Sequence, residues 1–248
     1  MKKIVTIVFI CVLILGNISY GQFSDNKSLK KMKALEIIDE SVGFQQKVTR
    51  ASLAKCIMRL YGQSDKKKLY NGKKIEDVNE KSLNKAAIDF VIEEGMMSLS
   101  DNKFRPDDNV KYSETITALL RSLGYKDSFL SGSWPSNYIR KADKLNIITE
   151  KIKKDDVIDY NQFGKLLDNL LDARLLKRQI NNSGNYYLSE ETLMDRHKDI
   201  EVFKSIELEG FEIENNNKRI ISNSLDTNYL LKEGYDTEII VNQSCDVY

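Results

Sequence analysis

The side chains able to do chemistry in this chain are few, and most are cationic or aromatic. Arg50, in Val48-Thr49-Arg50-Ala51-Ser52, carries a guanidinium that can pair bidentately with a carboxylate. Thr49 beside it suits the cap of a helix starting there. An interhelix salt bridge is the competing use of Arg50. Lys111, in Val110-Lys111-Tyr112-Ser113-Glu114, offers a second positive charge in a similar setting. Trp134 is the single tryptophan; it could stack on a sugar face while donating one N–H, with core packing as the competing use. One His and three Cys in 248 residues leave zinc sites and imidazole-activated nucleophiles short of parts. His197, in Asp195-Arg196-His197-Lys198-Asp199, has no second imidazole and reads as a solvated side chain. Acidic pairs such as Glu190-Glu191 define no glycosidase pocket by adjacency alone. The expectation is a protein that is not an enzyme, with no catalytic residue, metal or cofactor.

The elements that must position these residues recur along the chain. Three stretches share one pattern: Ile37-Ile38 leading to Phe44 and Val48; Met96-Met97 leading to Phe104 and Val110; Ile147-Ile148 leading to Ile152 and Val157. After each Val, apolar residues return at offsets of 9, 10 and 13, as Ile57, Met58 and Tyr61, then Leu119, Leu120 and Leu123, then Leu166, Leu167 and Leu170. That spacing predicts a helix buried on one face. A second helical pattern precedes each aliphatic pair, and Pro106 forbids a helix through the intervening turn. Each unit therefore reads as helix, turn, helix, and units of this size must pack on one another to bury their faces. The units are residues 22–64, shortened at its start, 65–126 and 127–179. From residue 180 the pattern changes to alternation, as in Ile206 and Leu208 or Phe211 and Ile213, which predicts a small β-rich unit over 180–248.

Composition bounds the setting. With 41% hydrophobic and 30% charged residues and a net charge of +1, the chain is globular rather than disordered. Lys2 and Lys3 precede an apolar run from Ile4 to Leu15, and Ser19-Tyr20-Gly21 supplies small residues before a cut, the layout of a secretory signal peptide cleaved between Gly21 and Gln22. The run, which contains Cys11, is too short to span a bilayer, so no membrane span is expected after cleavage. Cys56 and Cys245 then remain, expected as packed or dangling thiols rather than a disulfide framework. Residues 22–179 hold 30 Lys and Arg against 23 Asp and Glu, whereas residues 180–248 hold 6 against 14. The basic excess points to an anionic partner for the helical part. Outside the cell, that partner is expected to be a wall polymer or another protein, not nucleic acid.

The units resemble the S-layer homology repeat of exported Gram-positive proteins. Val48-Thr49-Arg50-Ala51-Ser52 resembles the Thr-Arg-Ala-Glu signature of that family, and Ile75-Glu76-Asp77-Val78 its Phe-x-Asp-Val opening. Glu94-Gly95-Met96-Met97 through Phe104-Arg105-Pro106-Asp107 and Leu123-Gly124-Tyr125 complete the likeness, which covers roughly residues 24–176. The resemblance implies a mainly α fold, a pseudo-threefold assembly of helix-turn-helix repeats followed by the small β-rich unit. It also implies non-covalent binding of pyruvylated secondary cell-wall polysaccharide at the cell surface, with sugar in the grooves between repeats and Arg50 near the anionic groups. Helix N-termini with unpaired N–H groups would favour the same negative charge. The second unit departs, with Lys111-Tyr112 at the Thr-Arg position. So does the third, where Ile158-Asp159 puts an acid in the arginine place, although Asp159 and Gln162 can form a capping box. These departures and the acidic excess of residues 180–248 favour a second reading, a degenerate scaffold whose acidic β-rich unit contacts other envelope proteins. Burial of Arg50 against a carboxylate would remove the cationic seam that polymer binding needs.

Overall fold

The computed structural model describes residues 27–62, 74–179 and 185–196, and beyond them the backbone of five short strands. The signal segment with Gly21 and Gln22, most of the loop read at Gln63–Lys74, and His197 lie outside the described residues.

Among the described residues six α-helices carry the fold: α1 Lys27–Ala34, α2 Arg50–Leu60, α3 Lys85–Glu93, α4 Tyr112–Ser122, α5 Ser136–Lys144 and α6 Tyr160–Leu171. The fold is mainly α, and one apolar core runs through it, from Leu29 and Met32 on α1 to Leu167 and Leu171 on α6. Among the described residues no helix is long and apolar enough to cross a membrane.

Helices α1, α3 and α5 stop in the same way. Glu36, Gly95 and Asn146 have φ of 57°, 69° and 57°, and the N–H of the next residue reaches back into the helix. Ile37 donates to Met32 O at 3.0 Å, Met96 to Val91 O at 2.8 Å and Ile147 to Ala142 O at 3.0 Å. This left-handed turn satisfies a terminal carbonyl and aims the following aliphatic pair at the core. A Cβ at Gly95 would have no atom within 4 Å, so Gly95→Ala isolates backbone strain from packing. The substitution should cost about 1 kcal/mol in a urea unfolding titration.

The three turns leading into α2, α4 and α6 are hydrogen-bonded into a closed ring. Val110 N donates to Val48 O at 2.9 Å, Val48 N to Ile158 O at 3.2 Å, and Ile158 N to Val110 O at 3.4 Å. The next bonds step around in the opposite order: Arg50 N to Asp108 O, Tyr112 N to Asp156 O, and Tyr160 N to Gln46 O, at 2.8 to 3.0 Å. Helices then pair across turns, α2 with α3, α4 with α5, and α6 back to α1. Within the α4/α5 pair, Trp134 bonds Thr117 and Tyr138 bonds Arg121 one turn further on, so these two helices run in the same direction.

The ring corrects the register read from the sequence. Ile158, fully buried, holds the place of Val48 and Val110, whereas Val157 is at the surface. Asp159 therefore occupies the place of Thr49, and Tyr160, not an acid, stands where Arg50 does. By the same count Val42 corresponds to Phe104, and Phe44 is exposed. The helical pairs form between units instead of within each helix-turn-helix hairpin.

A β-hairpin follows α6. β1 Arg174–Arg178 pairs antiparallel with β2 Tyr186–Thr192, with Lys177 opposite Tyr187. Leu176 N donates to Leu123 O at 2.8 Å, and Leu175 and Leu193 are buried in the helical core. The division expected at residue 180 thus falls inside a hairpin that packs on the helices. Beyond it, β3 Phe203–Glu207 pairs with β7 Ser244–Val247, and β4 Gly210–Glu214, β5 Asn217–Ile221 and β6 Tyr229–Leu230 form a three-stranded antiparallel sheet. Cys245 lies on β7.

Candidate functional site

Arg50 is the first residue of α2, and its side chain is largely buried. The guanidinium side chain is 8% exposed; Nε donates to Phe104 O at 2.7 Å and Nη2 to Ser98 O at 3.0 Å. The group lies 4.9 Å over the Phe104 ring, and Nη1 is 3.7 Å from the Glu114 carboxylate. Burial pushes its pKa down, with Glu114 opposing that shift. This geometry overturns the expectation that Arg50 faces an anionic ligand. The guanidinium is spent joining the start of α2 to the turn before α4. The partners Phe104, Ser98 and Glu114 were not singled out as a set by the sequence, because the hydrogen bonds go to main-chain carbonyls of two of them.

The helix starts are likewise satisfied from within. Thr49 caps α2, its hydroxyl accepting from Ser52 N at 3.2 Å. Arg50 N and Ala51 N donate to Asp108 O and Pro106 O of the adjoining turn. On α6, Asp159 Oδ1 accepts from Gln162 N at 3.0 Å while Gln162 Oε1 accepts from Asp159 N at 3.1 Å, the reciprocal capping box. The expected unpaired N–H groups for an anion are therefore absent at these two starts. On α4, Glu114 closes back on Lys111 N at 3.0 Å.

The outward-facing candidates are Lys111 and Trp134. The Lys111 side chain is 50% exposed and lies 3.5 Å from an equally solvated Asp155, a pairing worth under about 1 kcal/mol at a surface. Trp134 is 54% exposed, so it is not a core residue. Its Nε1 donates to Thr117 Oγ1 at 2.9 Å, and Thr117 in turn donates to Ser113 O at 2.8 Å. The indole is thus held at one edge, with a face left to solvent. Leu83 stands two residues before α3, as Trp134 does before α5, and is 97% exposed.

Around these residues two carboxylates brace the turns. Asp77 accepts from Phe104 N at 2.8 Å and Arg105 N at 2.7 Å. Burial would raise its pKa, but these backbone donors outweigh it and hold the carboxyl below the ordinary 3.8. Asp39 is lowered in the same sense, burial being offset by Lys55 and Arg59, both hydrogen-bonded to it. A carboxyl depressed in the fold stabilises it above the unfolded pKa and loses that contribution as pH falls through the folded value. Unfolding measured by circular dichroism should therefore show stability declining below pH 3.8, and Asp77→Asn should flatten that decline. Cys56 is a free, buried thiol, pushed up by burial to about 12, which makes it an inert core residue.

No family model matches the chain. It is similar to curated proteins of bacterial envelopes: 26% identical over 187 residues to the middle cell wall protein of Brevibacillus brevis, and 27% over 193 residues to a surface layer protein of Brevibacillus choshinensis. It is 24% identical over 197 residues to a cell surface protein of Thermoanaerobacter kivui. Each match covers 71% of this chain and 17%, 16% and 25% of the respective relative. The chain thus spans a quarter or less of the length of these proteins. Their names are those of wall and surface proteins, not enzymes, and the similarity agrees with the cell-surface localisation read from the sequence.

Proposed function

We propose that the three helix-turn-helix segments are sister repeats of the S-layer homology type, arranged about a pseudo-threefold axis. Their function is to hold this protein, or a lattice that includes it, non-covalently on an anionic, pyruvylated secondary wall polysaccharide. The hydrogen-bond ring supports the repeat assignment, since each step joins counterpart residues in a fixed order. The observation that carries the binding assignment is the half-exposed indole of Trp134, tied at its N–H and open on its face, in a chain similar to wall and surface proteins. Burial of Arg50 against Glu114 removes the cationic seam expected between the repeats, so the reading rests on the Trp134 platform, with Lys111 as the accessible cation for the polymer's carboxylate and Thr49 only as a cap. Purified mature protein should sediment with isolated wall sacculi at low salt, and Lys111→Glu should reduce the pelleted fraction. Failure to pellet at low ionic strength removes this reading.

The burial of Arg50 favours the second reading, a scaffold contacting other envelope proteins. Its surface would be the hairpin end, where Phe129 meets Tyr186 in a tilted ring contact with centroids 4.3 Å apart and Tyr187 and Leu188 are also exposed. Residues 27–196 retaining an envelope protein through that surface, with no affinity for the polysaccharide, would establish it.

A further inference from the structure

The ring sets out three comparable helix pairs, so the same positions can be inspected in each. The α4/α5 pair holds Trp134 against Thr117. In the α2/α3 pair Leu83 takes the place of Trp134, both standing twelve residues before a left-handed residue, Gly95 or Asn146. Lys55 takes the place of Thr117, counting seven from Val48 and Val110 in the ring. Lys55 is a donor, engaged with Asp39 at 2.9 Å, and has no acceptor for an indole N–H. Leu83 presents a branched aliphatic end, not a flat face. In the α6/α1 pair the Thr117 place, counted from Ile158, is Lys165, again a donor. The Trp134 place is Ser24, which has no ring and lies outside the described residues.

Resting on the polysaccharide reading above, we infer that this chain carries one saccharide-stacking site and not three: the outer face of Trp134 on the α4/α5 pair. Thr117 is its positioning residue. The ligand chemistry is a pyranose ring that lays its C–H face on the indole. The N–H bond to Thr117 fixes the tilt of the indole, so the platform is set before the ligand arrives and little ordering is lost on binding. The other two pairs contribute to the body that holds this platform and make no stacking contact with sugar.

The chain contains a single tryptophan, so intrinsic fluorescence reports this site alone. The probe is polysaccharide released from purified wall sacculi, titrated into the mature protein. The expected result is a saturable change in Trp134 emission with one fragment bound per chain by calorimetry. Trp134→Ala should weaken binding about tenfold, Trp134→Phe less, and Leu83→Ala should leave it unchanged. Thr117→Val should weaken binding while retaining the emission change at saturation. Sedimentation with sacculi combined with unaltered Trp134 emission, or wild-type affinity in Trp134→Ala, overturns the single-site inference and leaves the polysaccharide reading standing. Loss of sedimentation in the unmodified protein removes both.

Discussion

Arg50→Ala should destabilise the folded chain by about 3 kcal/mol, because it strips the donors from two main-chain carbonyls and the nearby cation from Glu114. The substitution leaves Phe104 O and Ser98 O without the donors at 2.7 and 3.0 Å, and Glu114 without the cation at 3.7 Å. It also empties the space over the Phe104 ring. Such a loss is a large fraction of the roughly 5–15 kcal/mol that holds a domain together. Urea titration of the two proteins measures it. The companion measurement is sedimentation with wall sacculi at low temperature, where the variant is still folded. Pelleting should then match the parent, since the guanidinium faces inward. A shift under about 1 kcal/mol accompanied by lost pelleting would return Arg50 to the ligand surface. Tyr112 and Tyr160 occupy the same ring place and are as deeply buried. That place therefore calls for a large side chain to pack under the next turn, and a cation is only one of its solutions.

The sequence exposed the helices clearly and their register less so. The offsets of 9, 10 and 13 identified the buried faces of α2 and α4, because the anchoring Val48 and Val110 each stand alone between polar residues. The third unit was read one residue early. Val157-Ile158, Leu166-Leu167 and Leu170-Leu171 are aliphatic doublets, so offsets 9 and 13 are met in either of two registers, although offset 10 from Ile158 falls on Asp168. Only the hydrogen bonds of Ile158 decide between them. The sequence pattern aligns Phe44 with Phe104, yet the turn carries Phe44 outward. The hairpin was split because Arg174-Leu175-Leu176-Lys177 continues the apolar spacing of α6 as well as it begins a strand. The site was legible in part for a similar reason. The exposure of Lys111 follows from its capping place, but the inward turn of Arg50 depends on carbonyls contributed by Ser98 and Phe104, which no side-chain pattern encodes.

Gly164→Val should open the helical body at its seam, at a cost of about 3 kcal/mol or more, combining overpacking with a β-branched residue in a helix. Gly164 lies inside α6, where alanine would ordinarily be favoured over glycine by about 1 kcal/mol. Here a Cβ would sit 2.9 Å from Leu29 Cα and 3.0 Å from Leu29 N. Those atoms belong to the backbone of α1, so a side-chain rotation cannot relieve the clash and the whole helix must move. Moving it also breaks Ser28 Oγ to Asp168 at 2.7 Å and Lys31 to Asp168 at 2.8 Å. Because α1 comes from the beginning of the described chain and α6 from the end of the helical part, this pair alone joins the first helix to the last. Amide exchange should accordingly accelerate in α1 and along its α6 contact face, while the α2/α3 and α4/α5 pairs stay protected. Gly164→Ala is the sharper test of cause. Propensity predicts a gain and close approach predicts a loss of about 1–3 kcal/mol, so the sign of the change decides whether glycine is there for contact. A stabilised alanine variant would mean that α1 yields at little cost and that the helical body does not depend on its closure.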